Sequence, residues 1–189
     1  AMALTRRLKK AKAFYVSFLD DEHADFYSIL DQMNEKFRIN QICPVWLPIY
    51  ENGKPVGIVD ILKDKAIRCA DGKSVEMDIP SDMFDTVALY KDKLRELIAE
   101  TSDELLAKYF ESEEFTTEEI INGLAQGVKS GDICPVYCGV QQLGNAIPIM
   151  VDNLLEIMPS AADSKYVTAD GEEKTFSADG ETALNIFKT

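Results

Sequence analysis

Two short apolar runs, far apart in the chain, constrain its fold more than any other feature. Ala13-Phe14-Tyr15-Val16-Ser17-Phe18 lies near the start and Ile133-Cys134-Pro135-Val136-Tyr137 lies beyond the middle. Each is too short for a helix, apolar enough for a strand buried on both faces, and followed by helical periodicity. Phe26, Ile29, Leu30, Met33 and Phe37 follow the first run, which Asp20-Asp21 ends as they open the helix. The second is followed by a helix over 145–157 that stops before Pro159. Strand then helix, twice, is the signature of βα units in a parallel sheet. What separates them has a different texture and reads as an insert.

Within that insert, Val45-Trp46-Leu47-Pro48-Ile49, Val56-Gly57-Ile58-Val59-Asp60 and Lys65-Ala66-Ile67-Arg68-Cys69 read as strands. Glu51-Asn52-Gly53 and Asp71-Gly72 supply the turns. Ser81, after Pro80, is placed to cap a helix. Its apolar stripe is Met83, Phe84, Val87, Tyr90, Leu94, Leu97 and Ile98. Thr101 with Glu104 and Thr116 with Glu119 have capping-box spacing and predict two further helices, the second closed by Gly131. Residues 159–183 are polar, with turns at Asp170-Gly171 and Asp179-Gly180, and read as a linker or small hairpin. The last seven residues, 183–189, look like a strand cut at its end. The expected fold class is α/β: a partial P-loop-NTPase-type parallel sheet, its rear βα units interrupted by an inserted α+β subdomain.

Charge narrows the function. Among 189 residues, 20 are Lys or Arg and 33 are Asp or Glu, a net charge of −13. Such a surface repels phosphate, which argues against direct contact with DNA or an anionic membrane and suits a basic protein partner or plain solubility. No apolar run reaches the roughly 18 to 20 residues of a membrane span. The start carries no signal-peptide pattern, and Ala1-Met2-Ala3 reads as a cloning remnant on a piece of something longer. The four cysteines, Cys43, Cys69, Cys134 and Cys138, form no C-x-x-C pair, and His23 is the only histidine. A metal site is therefore not expected, and reduced, buried thiols in a cytoplasmic protein are. His23, among Asp20, Asp21, Glu22 and Asp25, reads as a solvated helix-start residue rather than a catalytic base. Gly72-Lys73-Ser74 looks like the end of a phosphate loop, but position 67 is isoleucine where that loop needs glycine, and the flanks are strands, so a hairpin turn is expected.

Val16-Ser17-Phe18-Leu19-Asp20, followed by Ala24-Asp25-Phe26, resembles the bacterial translation elongation factor G group of translational GTPases. That group carries V-N-K-M-D and then D-R-x-x-A-D-F. The resemblance continues in order through Leu47-Pro48-Ile49, Gly57-Ile58-Val59-Asp60, Lys65-Ala66-Ile67, Ile79-Pro80, the stretch from Glu100 to Tyr109, Thr117-Glu118-Glu119-Ile120, Pro135 to Gly139, Leu154 to Ser160 and Phe187-Lys188-Thr189. It implies four segments. Residues 1–43 would be the rear of a G domain with a degenerate guanine motif, and 44–130 the inserted acidic subdomain. Residues 131–160 would be the last βα unit, and 161–189 a linker and the first strand of a following β-barrel. The implied parent is a GTP- or GDP-binding elongation factor acting on the ribosome in protein synthesis. Its phosphate loop and switches would precede residue 1, so this chain by itself is expected to be inactive and to hold no cofactor.

The same resemblance assigns the degenerate nucleotide site residue by residue. Asp20 matches the aspartate that accepts two guanine N–H groups. Ser17 stands for the asparagine and Phe18 for the lysine, and Val140-Gln141 falls where a backbone amide would read the guanine carbonyl. A phenyl ring can stack on a base but carries no charge. Asp20 is equally suited to capping the helix that follows. The alternative function is thus a non-catalytic ribosome- or stalk-binding module with a decayed nucleotide site. Between Ser81 and Glu119, twelve acids face four bases, net −8. Asp82, Asp85, Asp92, Glu96 and Glu100 project from one side of the predicted helix. The resemblance implies that this insert meets the basic C-terminal domain of the ribosomal stalk protein; a merely solvated acidic face is the competing reading.

Overall fold

The computed structural model describes residues 10–37, 42–70, 72–139, 146–160, 162, 165–168, 170–175, 177 and 179–180. The chain divides into two compact units, 1–158 and 159–189. The first is mixed α/β, with a three-stranded parallel sheet and a separate four-stranded antiparallel sheet.

The parallel sheet has β7 (Cys134–Cys138) at its centre, flanked by β1 (Phe14–Val16) and β2 (Ile42–Pro44). Phe14 lies opposite Val136 and Val16 opposite Cys138, while Ile42 pairs with Cys134 and Pro44 with Val136. Every residue of β7 is buried, as its unbroken apolar run requires. A proline in a central strand normally breaks the ladder. Val136 accepts from the Val45 amide at 2.9 Å, so it faces β2. Pro135 therefore faces the other side, opposite Ala13, one residue before β1 begins, and its missing N–H interrupts no pairing.

Val45 joins the two sheets. Its amide bonds β7, and its carbonyl accepts from the Ile61 amide at 3.0 Å. From it the chain enters an antiparallel meander, β3 (Trp46–Glu51), β4 (Lys54–Asp60), β5 (Lys65–Ala70) and β6 (Lys73–Met77). Both expected hairpin turns form. Asn52 and Gly53 take φ of +50° and +74°, the pair a two-residue type I′ loop demands, and Gly72 takes +73°. Asp71 lies outside the described residues. The Gly72-Lys73-Ser74 sequence is thus a hairpin, as its flanks require.

Helices α1 (Phe26–Phe37), α2 (Phe84–Ala99), α3 (Asp103–Phe110), α4 (Thr117–Ser130) and α5 (Ile147–Ile157) cover the sheets. Their starts correct three sequence expectations. Asp20-Asp21 does not open α1, which begins at Phe26. Ser81 caps nothing; it starts a 3₁₀ turn over Ser81–Met83 that runs directly into α2. The cap of α3 is Ser102, whose oxygen accepts from the Leu105 amide at 3.2 Å, while the neighbouring Thr101 hydroxyl donates back to the Ile98 carbonyl at 2.6 Å. Thr101 is still finishing the preceding helix, which shifts the capping position by one. The Thr116–Glu119 box forms in full, and Gly131 closes α4 at φ +79°.

All four cysteines are free and buried, as expected. The core holds Trp46 edge-on to Tyr137 at 5.3 Å, and Leu47, Ile58, Leu94, Ile98 and Leu124 are buried in the same cluster. Phe84 departs from the predicted apolar stripe and is exposed. Among the described residues no helix is long and apolar enough to cross a membrane. In the second unit, β8 (Lys165–Val167) and β9 (Glu173–Thr175) form a small antiparallel hairpin turned at Gly171, φ +85°.

The capping box of α4 carries a titration prediction. Glu119 is held by the Lys108 ammonium and by the Thr116 amide at 2.8 Å, which pull its carboxyl down to about 2. A carboxyl lowered by folding contributes stability above its ordinary value of 4.5, and that contribution is lost as pH falls toward 2. Carboxyl-resolved NMR titration of Lys108→Met should place the Glu119 midpoint about one pH unit higher or more. An unchanged midpoint would show that the ammonium is irrelevant.

Candidate nucleotide-type loop and acidic face

In parallel sheets, ligands gather where strands end and loops diverge at the carboxyl edge. Here β1 and β7 run side by side in register, so the segments after Val16 and after Cys138 leave the sheet from the same edge. The first is Ser17-Phe18-Leu19-Asp20. Leu19 is buried at 1% exposure and anchors the loop, while Ser17, Phe18 and Asp20 are exposed. Phe18 has φ +60°, a left-handed conformation unusual for a bulky residue, and its ring is 78% exposed. Its carbonyl accepts from the Asp21 amide at 3.2 Å, and the Asp21 carbonyl accepts from Ala24 at 3.0 Å. Backbone turns therefore hold the loop, with the aromatic side chain turned outward.

Asp20 does not cap the helix. That role belongs to Asp25, whose Oδ1 accepts from the Tyr27 amide at 3.0 Å and the Ser28 amide at 3.4 Å. His23 is exposed, and its amide donates to Asp21 Oδ1. Asp20 is thus left at the rim with Phe18 and Ser17. Val140 and Gln141 lie outside the described residues. The strand leading to them ends at Cys138, and the next residue, Gly139, donates its amide to the Val16 carbonyl at 2.9 Å. A Cβ on Gly139 would sit 2.1 Å from the Tyr15 hydroxyl, so glycine is what admits that phenol over the end of β7.

Sequence reasoning missed the tyrosines around this edge. Tyr27 stacks on Tyr90 at 5.8 Å, and Tyr15 and Tyr50 stand near Cys138. Burial, before any neighbouring charge, raises the phenols of Tyr15, Tyr27 and Tyr50. They lie at 15, 27 and 50 in the chain, with no common spacing to mark them as one group.

Chemically, the loop offers an exposed carboxylate to accept paired N–H groups and an exposed ring to stack on a flat face. It offers no cation. Ser17 and Phe18 do not reproduce the charged guanine motif. Among the described residues no cluster of His, Cys, Asp and Glu could hold a metal ion.

The acidic residues do come together. Asp82, Asp85, Asp92, Glu96 and Glu100 are all exposed, from the 3₁₀ turn before α2 to the residue that ends it. Leu89, 53% exposed, projects among them. Compensation is slight: Arg95 approaches Asp92 at 3.8 Å, and its guanidinium is also engaged by the Glu113 carbonyl and the Phe115 ring.

No protein-family model matches the chain. The crystal structure of a protein from Thermus thermophilus matches it with a TM-score of 0.75 and 29% identity over 85% of this chain. The match covers 24% of the Thermus protein, so the present chain spans about a quarter of its length.

Proposed function

We propose that this chain is the rear portion of a G domain, with its insert, from an elongation factor G-like translational GTPase that works on the ribosome in protein synthesis in the cytoplasm. The observation that supports the reading is the parallel pairing of β1 with β7, from which the Asp20 loop leaves at the carboxyl edge, the usual ligand edge of parallel sheets. The similarity to about a quarter of a longer Thermus protein is compatible with such a piece. GTP or GDP would be the parent's ligand, with Asp20 facing the base edge and Phe18 covering its face. Within these 189 residues no segment matches the phosphate-loop pattern, so the chain by itself is expected neither to bind nor to hydrolyse GTP. Calorimetry of GDP and ADP against the longest natural form of the protein tests the reading. Micromolar or tighter binding that prefers guanine supports it; no binding, or equal binding of both, overturns it.

Phe18 in place of a lysine favours a second reading, a non-catalytic module that keeps ribosome or stalk contact after its nucleotide site has decayed. Both readings use the acidic face of α2 as the surface for the basic stalk domain. Double charge reversal, Asp85→Lys with Glu96→Lys, should weaken binding to the isolated stalk C-terminal domain about tenfold at low salt, and less as salt rises. An affinity unchanged at low salt would remove the docking surface.

A further inference from the structure

We infer that the open edge of β6 and the groove beside it accept an extended, basic segment of a partner protein as an added strand. This surface adjoins the start of the acidic face of α2, sharing Asp82 and Asp85 with it, and does not depend on the proposed translational role.

Among the described residues β6 pairs with β5 alone and ends the sheet, and all five of its residues are exposed. The two-residue loop makes Ala70 and Lys73 a bonded pair, and Val75 and Met77 face β5 in the same alternation. Glu76 therefore turns its backbone N–H and C=O away from the sheet. Exposed edges are normally shielded by bulges, prolines, charged side chains or covering elements; here the only charges on the edge are Lys73 at its start and Glu76, which Lys65 holds. The Met77 end of the edge is flanked by a groove of about 950 Å³ whose apolar lining includes Met77, Ile79, Phe84 and Val87. Phe84 is 56% exposed and Met77 37%. The groove lies between the Met77 end of β6 and the start of α2, from Phe84 to Lys91.

Charge decides the occupant. The lining lysines are already engaged, Lys65 with Glu76 at 2.8 Å and Lys91 with Asp64 at 2.5 Å. Asp78 in the lining and Asp82 and Asp85 beside it remain in excess. A second copy would bring another net charge of −13 against the first. A basic strand with apolar residues at alternate positions satisfies the edge, the groove and the charge together.

Fluorescence anisotropy with a labelled peptide of alternating lysine and valine tests this, against a peptide of the same composition with its lysines and valines in separate blocks. The alternating peptide should bind saturably and at least about tenfold more tightly than the block peptide. Glu76→Pro, which removes the outward N–H without touching the β5 ladder, should weaken binding about tenfold. Phe84→Asp, at an exposed position and so independent of folding, should do the same. Equal binding of the two peptides, or unchanged binding by both variants, overturns the proposal. So does self-association of the native chain that Glu76→Pro abolishes, which would make a second copy the occupant.

Discussion

Asp60→Ala should cost about 4 kcal/mol of stability, whereas Asp60→Asn should cost much less. Asp60 is wholly buried at the end of β4. Its Oδ1 accepts from the Leu62 amide at 3.0 Å and the Lys63 amide at 3.3 Å, and its Oδ2 accepts from Asn153 Nδ2 at 2.8 Å. Alanine would strand three donors, two of them in a tight turn, at about 1–3 kcal/mol for each that water cannot reach. Asparagine keeps an acceptor for the turn and removes a buried charge. Burial pushes the Asp60 carboxyl above its ordinary value of 3.8, and the three hydrogen bonds offset only part of that. A carboxyl raised by folding contributes stability that is fully present below its ordinary value and is lost as pH rises through its folded value. The asparagine variant should therefore gain on the native protein between pH 4 and pH 7. Chemical denaturation at those two pH values checks both claims. An alanine variant as stable as the asparagine one would show that these hydrogen bonds carry little.

Gly57→Ala should destabilise the antiparallel sheet by about 3 kcal/mol or more, although alanine is otherwise a mild replacement. Gly57 lies in β4 opposite Arg68 of β5, and a Cβ there would sit 2.3 Å from the Ile67 carbonyl oxygen and 3.1 Å from the Arg68 Cα. These are backbone atoms in a paired strand, so relief requires β4 and β5 to separate. The same sheet bears Trp46, Ile58 and Ala66, all buried, so the separation would loosen the core as well as the ladder. A fall in the denaturation midpoint with an unchanged slope is the expected result. By comparison, Gly53→Ala meets no atom within 4 Å, and its effect should come only from the +74° φ. If Gly57→Ala were no worse than Gly53→Ala, the close approach of β4 to β5 would be wrong.

What was legible in the sequence is what short-range physics controls. The two apolar runs announced β1 and β7, but only β7 is the strand buried on both faces that such a run predicts; β1 is three residues long, with Phe14 and Val16 half-buried and Tyr15 exposed. Asn52-Gly53 and Gly72 turned hairpins because left-handed backbone is cheap for those residues. The Thr116–Glu119 box and Gly131 bounded α4 because each cap is closed within four residues. The exposed acids of α2 were visible as a helical face.

Other features depended on distance in space, and there sequence reading failed. Asp25 rather than Asp20 caps α1, because burial of Leu19 and two backbone turns delay the helix to Phe26. Phe84 fits the apolar stripe by angle, yet no element covers it. Tyr15, Tyr27 and Tyr50 come near Cys138 from three elements. Asp60 and Asn153, 93 residues apart, each look like an ordinary surface polar residue until the packing of α5 buries them together. Periodicity alone determined the element types, while capping fixed both ends of α4 but misplaced the starts of α1, α2 and α3. Only tertiary structure decided which polar groups lose water and which apolar ones keep it, since desolvation depends on every element that arrives from elsewhere in the chain.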